Sequence, residues 1–396
     1  MMGSSLLCIP WALGEAGFVL GIALLVVMAF ICCYTAYRIV RSVDGVVKTS
    51  DAVWEFSDVC HYYFGRLGLY VSIIFSVSAL LGAAMAYWVL MSNFLYHTVK
   101  FAYDPAESNS TGYHSIFLEV WQQNFTVPLS LAVLLFPLIN FKSPTFFTKF
   151  NSLGTISVMY ILVFVTVKAI GWGLHIDFDS ASPLTSVPLT NLTFPALTGL
   201  LSLSYFLHNG ILSIMHNQKH PENNGRDLCI SYGLVALTYM WIGVAFYSTF
   251  PLQKDCIESN LLDNFPSADI MAIIARLLLL FQLVTIYPLL LYIMRVQLMN
   301  AMFGKSWPGL KYIIVLNLAI VCLCVLCAVF FPQIGTIIRF SGAFSGLAYI
   351  FTLPCLVYMV YSWRSGTLTW KIVFIHTFII AFGVANFIGQ FVILKL

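Results

Sequence analysis

Apolar residues along this chain come in long unbroken runs rather than in alternation with polar ones. Runs near the length that crosses a hydrocarbon core, about 18 residues or more, lie at Phe18–Tyr37, Leu67–His97, Ser152–Leu174, Phe194–Met215, Leu228–Phe250, Ala268–Leu298, Lys311–Phe331, Gly335–Tyr361 and Trp370–Leu394, with a shorter one at Val127–Asn140. Each is expected to be a helix, because in lipid the backbone must satisfy its own hydrogen bonds. The period-two alternation of barrel strands is absent. An apolar stub, Met1–Leu13, precedes these runs and is too short to cross alone. It lacks the basic start and cleavage site of a signal peptide, and reads as the second half of a helix whose first half is missing. The pattern predicts an all-α polytopic membrane protein with about eleven transmembrane segments, the first incomplete.

Two of the runs carry helix-breaking residues. The stub reads Met1, Met2, Gly3, Ser4, Ser5, then Ile9-Pro10-Trp11. The run from Phe194 carries Ser202, Ser204 and Tyr205, then His208-Asn209-Gly210. Broken helices at corresponding places of two halves point to the site of a secondary transporter, where half-helix ends meet charged groups and freed carbonyls meet cations. A small-residue packing seam between helices is the competing reading. Counting the stub as helix 1 and the Phe194 run as helix 6 gives a five-plus-five inverted-repeat arrangement of the leucine-transporter type. The first repeat then covers residues 1–174, the second 194–361, and 370–394 is an extra C-terminal helix.

Composition narrows the function class. Of 396 residues, 60% are hydrophobic and 9% charged, against about 25% charged in soluble domains. A soluble enzyme, a nucleic-acid binder and a disordered scaffold are excluded. With the loop after Tyr37 taken as cytosolic, Arg38, Arg41, Lys48, Arg66, Lys142, Lys149, Lys219, Arg226, Arg295, Lys305, Lys311, Arg364 and Lys371 fall on that side, against Lys100, Lys168, Lys254 and Lys395 opposite. That bias is the positive-inside signature; it puts the N-terminus in the cytosol and the C-terminus in the lumen. The glycosylation acceptors Asn109, Asn124 and Asn191, each followed by Ser or Thr two residues on, all fall in loops that charge assigns to the lumen.

Every acidic residue is assigned to a face and none to mid-span, so a carboxylate relay or an intramembrane aspartyl protease is not expected. The candidate ligand-binding residues are Met1, Met2, Gly3, Ser4, Ser5, Tyr205, His208, Asn209 and Gln282. Gln282 and Thr285 share a helix face, and Ser4 and Thr285 are candidate sodium ligands, with back-bonding to its own helix the alternative for Thr285. His208 reads as packed rather than titrating, and Arg339 as bonded to carbonyls or facing the pathway. Tyr287, Pro288, Tyr292 and Arg295 fall around a proposed cholesterol pattern, Leu291-Tyr292-Ile293-Met294-Arg295. The cysteines at 322, 324 and 327 read as small apolar residues rather than metal ligands, and no disulfide is expected.

The stub's Met1-Met2-Gly3-Ser4-Ser5 with Ile9-Pro10-Trp11 resembles the helix 1 motif of the amino acid/auxin permease family. The stretches Tyr87 to Asn93, Leu197 to Met215, Glu222 to Cys229 and Asp255 to Glu258 resemble its lysosomal members. The resemblance spans nearly the whole chain. It implies an eleven-helix transporter of the lysosomal membrane that binds arginine, exports amino acids such as glutamine and leucine, and signals luminal amino acids to the mTOR kinase complex. Rag GTPases and Ragulator are the implied partners, engaged by an N-terminal tail that would precede residue 1. Residues 1–5 match the substrate-binding segment, with Ser4 where relatives usually carry Thr. No cofactor beyond sodium is implied. The alternative is a transporter-shaped arginine receptor that moves nothing.

Overall fold

The computed structural model describes residues 4–43, 55–103, 120–143, 145–150, 153–178, 186–216 and 218–393. The chain is an all-α membrane protein. Among the described residues, eight helices are long and apolar enough to cross a membrane, and three further apolar helices are shorter.

A 3₁₀ turn, Ser4–Cys8, leads into α1 (Ile9–Ala16), whose Pro10 sits in the first turn, where its missing N–H leaves no partner unmet. Helix α2 (Phe18–Val43) follows after Gly17 alone. This glycine has φ 81°, and a Cβ there would lie 2.7 Å from Thr190 Cα, so both conformation and space require its bare backbone. Helix α3 (Phe56–Tyr103) is interrupted at Gly65, φ 63°, which separates a short first piece from the long span. Then come α4 (Thr126–Ile139) and α5 (Leu153–Trp172). The next run is divided into α6 (Pro195–Ser204) and α7 (Ile211–His216). Helices α8 (Asn224–Thr249), α9 (Ile270–Phe303) and α10 (Leu310–Phe330) are continuous. Asp269 caps α9 by accepting the Ala272 N–H at 3.1 Å, and the left-handed Gly304 ends it. A π turn, Leu347–Thr352, joins α11 (Ile334–Gly346) to α12 (Leu353–Arg364), and α13 (Trp370–Val392) is last.

Successive segments run up and down, as side-chain bonds along α5 and α9 illustrate. Lys168 pairs with Asp269 at one end, while Ser157 donates to the Leu278 carbonyl further along. One face of the bundle carries the C-terminal ends of α2, α4, α7, α9 and α12, and is here the basic face. The other carries the loops with Asn124 and Asn191, and is here the acceptor face.

The centre of the bundle is formed by α1, α3, α6, α9 and α11. Backbones approach closely where small residues meet, as expected where packing rather than water exclusion drives association. A Cβ on Gly342 of α11 would lie 2.2 Å from the Gly199 carbonyl oxygen of α6, and one on Gly199 would lie 2.7 Å from the Arg339 oxygen. Gly82 of α3 faces Ser341 in the same way. On the acceptor face, the α1–α2 turn is sewn to the segment leading into α6. Phe18 N–H donates to Pro188 O at 2.9 Å, Asn191 N–H to Ala16 O at 2.9 Å, and the Thr193 hydroxyl to Glu15 O at 2.6 Å.

Candidate functional site

The 3₁₀ turn that opens α1 and the break after α6 lie side by side in the middle of the bundle. At the end of α6 the backbone leaves the helix over residues 205–210, so its last carbonyls need partners from elsewhere. Two tyrosines of α8, two turns apart, supply them. The Tyr239 hydroxyl donates to Ser204 O at 3.2 Å and the Tyr232 hydroxyl to Tyr205 O at 3.1 Å. The Tyr239 oxygen also lies 3.3 Å from Ser5 Oγ, joining the 3₁₀ turn before α1 to the break after α6.

Beside this junction is a cavity of about 310 Å³, lined by Ser5, Ala79, Leu80, Ala83, Ala86, Tyr87, Leu203, Phe206, Asn209, Leu290, Ile293 and Ile338. The three alanines of α3 leave the space that larger side chains would fill. Ser5, Tyr87 and Asn209 are its polar side chains. The volume suits a free amino acid, and the lining is mostly apolar with few polar groups, the usual character of a small-molecule site. On the basic-face side, the Ser76 hydroxyl donates to Gln297 Oε1 at 2.9 Å, one turn from Ala79 and Ile293.

The candidate residues divide around this cavity. Ser5 and Asn209 line it. Tyr205 is fully buried behind it, its hydroxyl 3.3 Å from Leu25 O of α2. His208 is also fully buried, with Nε2 2.9 Å from Thr35 Oγ1. Gln282 lies instead against α5, where a Cβ on Gly154 would be 2.9 Å from its Nε2. The Thr285 hydroxyl donates to Gln282 O at 2.8 Å, within its own helix. Met1, Met2 and Gly3 lie outside the described residues, as does the side chain of Ser4, whose backbone opens the 3₁₀ turn.

Of the residues around the sterol pattern, Tyr287 packs edge-on to Trp88 and donates to Cys324 Sγ at 3.5 Å. Arg295 is buried, donates to the Phe141 and Lys142 carbonyls, and lies over the rings of Tyr292 and Trp307. Pro288 is buried as well, and Tyr292 half-buried. Asn124 and Asn191 are exposed on one face, while Asn109 lies outside the described residues. All ten cysteines are free thiols, and those at 322, 324 and 327 range from exposed to buried around α10. No three His, Cys, Asp or Glu side chains converge for a metal among the described residues.

The acceptor-face end holds a feature that sequence reasoning missed. The connector from α8 to α9 folds inward, and its 3₁₀ turn Leu261–Asn264 meets the turn Ser4–Cys8. Asn93 of α3 donates to Asp263 Oδ2 at 3.1 Å and accepts from Asn260 at 3.2 Å. Arg276 is wholly buried and holds the connector through the Leu262 and Phe265 carbonyls, at 2.8 and 3.3 Å. Burial drives the Asp263 carboxyl up to about 6, against the pull of Asn93, Asn260 and Arg276. Nothing in a polar connector's composition signals that it turns inward.

A family profile described as "Transmembrane amino acid transporter protein" matches residues 1–394. The "Sodium-coupled neutral amino acid transporter 9 homolog" of Caenorhabditis elegans is 45% identical, over 99% of this chain and 72% of its own length. The "Neutral amino acid transporter 9" of Danio rerio is 45% identical over 99% and 78%, and that of Rattus norvegicus 44% over 99% and 77%.

Proposed function

The chain belongs to the family of transmembrane amino acid transporters, and on that premise we propose that it carries amino acids across a membrane through the central cavity between its two broken segments. The observation that carries this reading is the placing of Ser5, from the turn before α1, and Asn209, from the break after α6, in the wall of one cavity. Backbone groups released by the breaks would meet the α-ammonium and α-carboxylate that every amino acid shares. The apolar wall of α3 and α9 would then face the side chain.

The finer reading is that substrates include glutamine, leucine and arginine, that the membrane is lysosomal, and that the basic face is cytosolic. The positive-inside bias and the family resemblance support it. Sodium is the coupling or modulating ion on this reading, as the printed name of the C. elegans relative suggests. Ser4, rather than Thr285, is the better-placed candidate ligand, because its backbone belongs to the turn beside the cavity. Signalling to the mTOR complex through Rag GTPases and Ragulator rests on the resemblance alone, and cholesterol binding on the weak sterol pattern.

Counterflow of labelled glutamine, leucine and arginine into liposomes tests transport. Ala83→Phe fills the cavity from α3 and changes no residue of the turn before α1 or of the break after α6, and is expected to lower uptake of all three more than tenfold with the amount of protein unchanged. Normal uptake by that variant would move the pathway elsewhere. A protein that binds arginine yet shows no counterflow of any amino acid would favour the receptor reading.

A further inference from the structure

A second cavity, of about 140 Å³, opens at the acceptor face among Ser92, Asn93, Glu258, Asp263, Gln333 and Ile334. It lies on the acceptor-face side of the central cavity, sharing a helix face with it on α11 and flanked by a different face of α3. On α11, Ile338 lines the central cavity and Ile334 the outer one, one turn or about 6 Å apart. On α3, Tyr87 lines the central cavity and Val89, Ser92 and Asn93 the outer one. Between the two is the turn Ser4–Cys8, whose Leu6, Leu7 and Cys8 are buried.

The chemistry of this outer cavity is one-sided. Two carboxylates, Glu258 and Asp263, are in its wall, and no Lys, Arg or His is among its lining residues. Asp263 Oδ2 is held by Asn93, whereas Oδ1 is buried and has no hydrogen-bond partner. The nearest side chain of basic type is His97, with Nε2 3.9 Å from that oxygen. Arg276 acts on Asp263 through its charge and not through a hydrogen bond: its Nη2 donates to the Leu262 and Phe265 carbonyls of the connector, and its Nε and Nη1 are buried without a partner. A buried carboxylate oxygen without a donor is costly, and a cationic group entering here would supply the donor. A guanidinium offers several donors in one plane. The volume equals roughly four or five waters at about 30 Å³ each, which suits the charged end of a side chain and not a whole amino acid.

We propose that this cavity is an outer station that takes the guanidinium or ammonium end of a cationic amino acid, with Asp263 as its main contact, before the molecule passes to the central cavity. The proposal rests on the transport reading for its purpose, but not for its test. Protons compete with such a ligand. Around Asp263, the titratable neighbours are Glu258 on the connector, His97 on α3, Arg276 on α9 and Cys8 on the turn before α1, while the α10–α11 link contributes only neutral groups. With the carboxyl near 6, its ionised fraction rises about tenfold from pH 5 to pH 7, and cation affinity rises with it.

The probe is radiolabelled agmatine, which has arginine's guanidinium but no α-carboxylate for the central cavity to hold. Purified protein is expected to bind it about tenfold more tightly at pH 7 than at pH 5. Asp263→Asn should weaken binding at pH 7 at least tenfold and flatten the pH profile, and Glu258→Gln, at an exposed position, should weaken it about threefold. Absence of agmatine binding by the unmodified protein, a flat pH profile, or full binding by Asp263→Asn would each overturn the proposal. So would displacement of agmatine when sodium chloride replaces choline chloride at constant ionic strength, since the cavity would then be an inorganic cation site. Glutamine counterflow by the unmodified protein is read separately. If it fails while agmatine binding follows Asp263, the transport reading falls and the outer station stands.

Discussion

Tyr232 and Tyr239 do at the level of single residues what a helix would otherwise do for itself. Each hydroxyl satisfies a carbonyl released where α6 unwinds, in surroundings where water is not at hand to replace it. Loss of either hydroxyl leaves a buried acceptor unmet, at a cost of about 1–3 kcal/mol. Tyr232→Phe and Tyr239→Phe are therefore both expected to lower the melting temperature of the purified protein. Their effects on uptake should differ. Tyr239 also reaches Ser5 in the cavity wall, so its loss should reduce counterflow several-fold, while Tyr232→Phe should mainly destabilise. Equal loss of uptake in both, with equal melting temperatures, would mean that the tyrosines act as packing and not as partners of the break.

At the scale of elements, the crossing of α6 and α11 depends on glycine in a way that can be measured. A methyl at position 342 would stand 2.2 Å from Gly199 O and 2.8 Å from Leu203 N, both backbone atoms that cannot swing aside. Gly342→Ala is expected to separate the helices and cost at least the 1–3 kcal/mol typical of overpacking, seen as lost monodisperse protein or a depressed melting temperature. Gly210 lies at the end of the same broken segment, but a methyl there meets nothing within 4 Å. Gly210→Ala should stay within about 0.5 kcal/mol of the parent. A tolerated Gly342→Ala would show that the α6–α11 contact is looser than drawn.

The same elements show what could be read from residues alone. The spans and the break after α6 were legible, because uninterrupted apolar runs have one solution in lipid and Ser, Gly and Pro mark where it stops. Ser5 and Asn209 were legible as members of the breaks, and both line the cavity. Orientation around a helix was not. Gln282 and Thr285 share a face by spacing, but α9 is surrounded by protein on most sides, so its apolar pattern does not reveal which neighbour that face meets. It meets α5 at Gly154. The partners of the break were hidden for another reason. Tyr232 and Tyr239 lie in a different helix, and an i, i+7 pair of tyrosines has no local signature.

For the whole molecule, the inward fold of the α8–α9 connector links stability to pH through Asp263. Its carboxyl stands near 6 against an ordinary 3.8, chiefly because burial disfavours the charged form. Raised above its unfolded value, this acid keeps its proton longer in the folded state. Between about pH 4 and pH 6 the folded chain binds more protons at this site than the unfolded chain, so stability falls as pH rises through that window. The shift sets an upper bound of roughly 3 kcal/mol, reduced in practice because the side chain is 28% exposed and partly screened by solvent. An acidic medium thus favours the closed connector, and a neutral one loosens it. Melting temperatures of the parent and of Asp263→Asn, measured from pH 4 to pH 7, isolate the contribution from all other groups. The parent should lose stability relative to the variant as pH rises, with most of the difference acquired by pH 6. Parallel curves would show that the Asp263 carboxyl titrates as it does in the unfolded chain, and that the connector is held by Arg276 and the Asn93–Asn260 pair alone.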